Sequence, residues 1–173
     1  MSAKQLPEHL LEQARHLARR ERTRPRQASL RRAVSTGYYA LFHFLVRESV
    51  RQLGPNLSER NFNRVYRWFD HGAMYRVAKA FSQPVVHIPG SKEQIVPVNS
   101  RGVQFIAQTF AEIQELRHSA DYDPETVFLR SDVLANVLRV ESAFALWPVV
   151  KSSEEASALL LSFLLWEKWG KRP

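Results

Sequence analysis

The chain has 173 residues, no cysteine and a formal net charge of +8. The length fits one domain, 1–173, large enough to bury a real core, and 45% hydrophobic with 24% charged residues excludes a disordered chain. The lack of cysteine excludes disulfides and thiolate metal sites, and it fits a reducing compartment.

The charge is unevenly placed. Residues 1–32 hold nine basic side chains against three acidic ones, and all but one of the nine are arginines: 15, 19, 20, 22, 24, 26, 31 and 32. Such a front end favours a polyanion, with RNA or DNA ahead of acidic lipid. Arginine tilts the choice toward phosphate, which guanidinium binds through two parallel hydrogen bonds. The competing reading is a solvated, charged helix face. The first residues, MSAKQLPEHLLEQARHLARRE, are amphipathic and lack an apolar signal-peptide core. The longest nearly apolar run, Ala156 to Trp166, is too short to span a bilayer. The expectation is a soluble, cytoplasmic protein with no membrane partner.

Pro7 suits the first position of a first helix, with Leu10, Leu11, Ala14, Leu17 and Ala18 as its apolar side and an end near Thr23, before Pro25. A long second helix runs from about Gln27 to Leu53 and stops at Gly54-Pro55. Leu30, Val34, Gly37, Leu41, Phe44 and Leu45 form its apolar stripe. Arg32, Ser35, Tyr39 and His43 fall on roughly the opposite side, as donors and acceptors at fixed positions rather than a solvated Lys/Glu face. Gly37, unfavourable inside a helix, suggests close approach of another backbone.

Ser58 is the N-cap of a third helix whose period holds to about Ser82, with a kink at Gly72. Residues 84–102 carry three prolines and two glycines and forbid a helix; Val85-Val86 and Ile95-Val96 suit a short hairpin. So long an excursion is either a flap or partner contact, or a disordered connection. A fourth helix covers about Val103 to Ser119. A fifth starts at Ser131-Asp132 and runs to about Val150, bent or ended by Pro148. Ser152 and Glu155 form a capping box for a sixth, stopped by Gly170. Its ALLLSFLLW is apolar nearly all round, so it is either wholly buried or, the favoured reading, covered on one side by a second chain. The fold class is all-α: an antiparallel bundle of five to six helices with one long loop.

Three segments carry a family resemblance. RRAVSTGYYALFHFL resembles the Arg-rich, Ser-Arg-Ala-Tyr-Tyr-Ala-like signature in the second helix of HEPN proteins (higher eukaryotes and prokaryotes nucleotide-binding). DHGAMYRVAKAF is similar to the His-led helix that follows in one bacterial branch, and LRHSADYDP to that branch's Arg then Ala-Asp-Tyr-Asp segment. Together they cover roughly residues 10–150. The resemblance implies a helical bundle that forms a homodimer, with polar residues of both copies meeting at a cleft. It also implies either a metal-independent endoribonuclease of a toxin–antitoxin or antiphage defence module, or an inactive relative that binds a nucleotidyltransferase or other defence protein.

The family's ribonuclease motif is an Arg, four to six residues, then His. A histidine would move the protons while the 2′-OH attacks phosphate, and the arginine would stabilise the developing charge, with no cofactor or metal. Arg117 matches the arginine, but the histidine positions hold Tyr122, Asp123 and Pro124. Arg64 and His71 have the spacing on the wrong helix. The candidate catalytic set is therefore Arg117, His118, Tyr122 and His43. The candidate nucleic-acid set is Arg19, Arg20, Arg31, Arg32, Tyr39, His71 and Asp121. Arg117 and Asp121, four apart, are expected to share one polar pocket with Arg32, Tyr39, His43 and His71. The competing reading is a buried polar network that fixes helix packing. A small-anion binder ranks below both, since there is no glycine-rich phosphate loop.

Overall fold

The computed structural model describes residues 5–87 and 94–169. Their order is α1 (Leu6–Ala18), α2 (Gln27–Leu53), α3 (Glu59–Tyr66), α4 (His71–Phe81), β1 (Val85–His87), β2 (Gln94–Pro97), α5 (Arg101–Tyr122), α6 (Arg130–Val150) and α7 (Glu154–Trp169). The chain is an all-α bundle with one small hairpin. α2 is its axis and packs against α1, α3, α5, α6 and α7. Leu30, Leu41, Leu45 and Val46 of α2 are among the largest wholly buried side chains.

Several expectations needed correction. α1 ends at Ala18 rather than near Thr23. Two tight backbone bonds, Arg19 N to His16 O and Arg20 N to Leu17 O, turn the chain there. Glu21 then serves the start of α2, accepting from Ser29 Oγ at 2.8 Å and from the amide of Arg26. The third helix is two. Ser58 caps α3 as expected, but the chain breaks after Tyr66, and Asp70 caps α4 by accepting from the Ala73 amide at 2.8 Å. Gly72 lies inside the first turn of α4 and makes no kink between helices. The apolar period ran on through residues 67–70 because Phe69 is buried in the same core, so periodicity could not report the break.

The hairpin forms in the expected place, with Val86 opposite Val96 and Val85 opposite Pro97. β1 lies against α4 and β2 against α7. α6 runs to Val150 as expected, with Pro148 inside its last turn. The capping box at Ser152 is replaced: Ser153 Oγ accepts from the Ala156 amide, and Glu155 instead accepts from the amides of Asn99 and Ser100, tying α7 to the start of α5. Gly170 lies outside the described residues. One side of α7 is buried within the chain itself, at Ala156, Leu159, Leu160, Phe163 and Trp166, while Leu161 and Leu164 are half-buried and Leu165 is exposed. The helix is therefore not wholly buried within the chain.

One described helix, α6, is long and apolar enough by length and composition to cross a membrane. It also carries Arg139 and Glu141, ion-paired to Glu112 of α5 and Arg15 of α1.

Candidate functional site

The polar side chains of α2 organise the site. Gln27, Arg31, Ser35, Tyr39, His43 and Arg47 are spaced by four, so they form one ridge that winds slowly round the helix. Each engages another element through its polar tip. Gln27 exchanges two hydrogen bonds with the backbone of Phe128, both 2.9 Å. Arg31 donates to five carbonyl oxygens, those of Ser119, Ala120, Asp123, Pro124 and Thr126, between 2.5 and 3.3 Å. These carbonyls are the open acceptors of the α5 C-terminus and the following loop, which a cation satisfies and neutralises. Beneath them Ala18, Leu30, Ala33, Val34, Ala120, Phe128 and Val133 form a small second core. Arg31, a nucleic-acid candidate by sequence, has a different role: carbonyls occupy both its terminal nitrogens, leaving no open fork for phosphate.

Farther along the ridge, Ser35 Oγ donates to Asp121 Oδ1 at 2.5 Å, and Arg117 Nη2 donates to Tyr39 Oη at 3.1 Å. Arg117 Nε lies 2.7 Å from Asp121 Oδ2. That contact is ionic rather than a well-aligned hydrogen bond, since Nε has no partner in bonding geometry. The Arg117 guanidinium also lies over the rings of Tyr38, Tyr39 and Tyr122, at 5.9, 5.6 and 5.4 Å. About a quarter of its side chain remains exposed. Arg117, Tyr39, Asp121 and Tyr122 thus meet.

His43, half-buried, and His71, partly exposed at the head of α4, each pair with a tyrosine. Tyr66 Oη lies 2.8 Å from His43 Nδ1, and Tyr38 Oη 2.5 Å from His71 Nδ1. Burial raises both phenols well above their ordinary range, so the hydroxyls stay protonated and donate, and each Nδ1 accepts. Burial, with a smaller contribution from His71, lowers His43 to about 4. Burial and the Arg117 charge lower His71. Both rings are neutral at pH 7, with one nitrogen already used. The Tyr39 ring stacks on His43 at 6.1 Å and takes the Arg117 bond on its hydroxyl. The expected wet pocket shared by Arg117 and His43 is therefore a chain of contacts through Tyr39.

His118 and Tyr122 are exposed, with ring centroids 5.0 Å apart. His118 also borders an open groove of ≈ 400 Å³ between α4 and α5, lined by Tyr75, Gln114, Glu115 and Ser119.

The other arginines stand elsewhere. Arg19, Arg20, Arg22, Arg24, Arg26 and Arg32 are all exposed. The backbone of this connection is held by Arg130, which donates to the carbonyls of Glu21 and Arg22. Glu21, the acid within 19–26, is engaged by Ser29 and by the Arg26 amide. Among the described residues none of the five arginines at 19–26 has a carboxylate at ion-pair distance. Likewise no group of three or more His, Asp or Glu among the described residues could hold a metal ion.

These features define an all-α bundle with a basic, backbone-anchored connection at one end of its central helix and an Arg/Tyr cluster on that helix's polar ridge. No family model, curated protein or solved structure matches the chain.

Proposed function

We propose that the chain is a HEPN-like, RNA-binding protein of a toxin–antitoxin or antiphage defence module that holds RNA rather than cutting it. One observation carries the reading: five exposed arginines between α1 and α2 on an anchored backbone, whose local acid is already engaged. Exposed guanidinium groups on an anchored backbone, outnumbering the acid among them, are what a phosphate backbone needs. Binding is favoured over cleavage because His43 and His71 each have Nδ1 occupied by a tyrosine, and because burial lowers both and makes each a weaker proton acceptor.

The test replaces Arg19, Arg20, Arg22, Arg24 and Arg26 by Gln and follows binding of a fluorescent single-stranded RNA. Affinity is expected to fall at least tenfold at low salt while the RNA stays intact with either protein. Unchanged affinity would remove the reading.

A specific observation keeps cleavage as a second reading. His118 is exposed one residue from Arg117, and Tyr122 touches both. Metal-independent cutting that disappears in both Arg117→Ala and His118→Ala would establish it. Exposed Tyr122 at the end of α5, and Val127 and Leu129 in the connection after it, 63%, 71% and 59% accessible, support homodimerisation or a nucleotidyltransferase or other defence-protein partner.

A further inference from the structure

We propose that the outward face of α3 and the turn behind it form a second surface for single-stranded nucleic acid, with Trp68 as a base-stacking platform and Arg60, Arg64 and Arg67 as phosphate contacts. This goes beyond the reading above, which puts RNA on the 19–26 connection.

Arg60, Arg64 and Arg67 recur at steps of four and three and share one side of the helix, and Trp68 stands at the edge of that side, about 100° on from Arg67. The opposite side is the core side: Phe62 and Phe69 are buried, and Val65 and Tyr66 half-buried. The turn prolongs the helix geometrically, with Arg67 N donating to Arg64 O at 3.2 Å and Trp68 N to Val65 O at 3.0 Å. The indole is thereby held on backbone with fixed bonds, yet it is 68% exposed, more than any other aromatic described. An indole left in water on a supported turn is a ready π-face.

Its surroundings select the occupant. Arg60, Arg64 and Arg67 are exposed, and among the described residues none has a carboxylate at ion-pair distance. The two nearby acids are otherwise placed: Glu59 lies in the first turn of α3, where the helix dipole favours it, and Asp70 caps α4. Cations flanking an aromatic face match alternating phosphate and base, the pattern that sequence-tolerant single-strand binders use. A membrane-seeking helix would need apolar area beyond one indole, and Asn61 and the arginines fill the rest of this face. The base must be unpaired to stack, which favours single strands over duplex.

The test uses the full chain, a 12-nucleotide oligoadenosine RNA, the matching duplex, and anionic phospholipid vesicles. Trp68→Ala is expected to weaken single-strand binding about tenfold, with Trp68→Phe close to wild type, since any aromatic face can stack. Saturating RNA should protect Trp68 from acrylamide quenching. Changing Arg60, Arg64 and Arg67 to Gln should make the salt slope of binding shallower by about 2. Trp68 is too exposed for these changes to unfold the chain, and the melting temperature checks this. If Trp68→Ala and the triple variant bind RNA like wild type while the 19–26 variant does not, this surface is refuted and the earlier reading stands. Vesicle binding that depends on Trp68, with RNA binding indifferent to it, also overturns the proposal. No RNA binding by the wild-type chain overturns both.

Discussion

Arg31 is the residue whose sequence and structural readings differ most. In a run of arginines it reads as one more phosphate contact, yet its guanidinium closes the end of α5 through five carbonyls. Arg31→Ala is expected to cost about 1–2 kcal/mol, because it leaves the part-buried carbonyls of Ser119, Ala120 and Thr126 without their donor, and calorimetry would show a lowered melting temperature. Charge alone could not separate Arg31 from Arg32, its exposed neighbour; that needed the position of a helix end about ninety residues away in sequence. His43 makes a pH-dependent prediction. Its folded value of about 4 is below the ordinary one, so the unfolded chain binds the proton first. Stability should be full above about pH 6.5, fall as pH drops toward 4, and change no further from this group below that. The loss is about 1–2 kcal/mol after allowing for partial exposure of the ring. His71, also lowered, adds in the same direction. Denaturant titrations at several pH values would show a flatter slope in His43→Phe.

At the scale of elements, α2 was the best-read part of the chain. Its bounds, Gln27–Leu53, match the expectation because Pro25 before it, Gly54-Pro55 after it and the apolar period between agree. The polar line Ser35, Tyr39 and His43 was visible as well. Its full extent was not, because Gln27, Arg31 and Arg47 look like surface residues until their partners on other elements are known. Arg47 is 5% exposed and bonds Glu8 of α1 at 2.7 Å. Gly37 was expected to admit a neighbouring backbone. In fact a Cβ there would meet side chains only, Ile113 Cδ1 at 3.6 Å and Ala14 Cβ at 3.9 Å, which is ordinary contact. Gly37→Ala should therefore fold normally and gain up to about 1 kcal/mol from helix propensity. Unfolding in denaturant measures it, and a loss of stability would mean that the α1–α2–α5 contact is tighter than these distances. The break between α3 and α4 shows a different limit. Asp70 is a good N-cap in the sequence, but a cap signal embedded in an unbroken apolar period is outvoted unless the loop geometry is seen.

For the whole molecule, the all-α class was legible because five of the helices announce themselves by period and by Pro/Gly punctuation. The arrangement of charge was only half legible. Arginine density at the front of the chain could be counted, but which guanidinium groups face solvent depends on how α1, α2 and α6 meet. The fold sorts them: Arg31 and Arg130 hold backbone, Arg15 pairs with Glu141, and the group at 19–26 stays open to water. The most direct test of that sorting is the dependence of single-stranded RNA affinity on salt. Wild type should give a log–log slope of about −3 or steeper, as expected for five arginines that each displace counterions, and the five-glutamine variant a slope several units shallower. A flat salt dependence in the wild type, or the same steep slope in both proteins, would contradict the account.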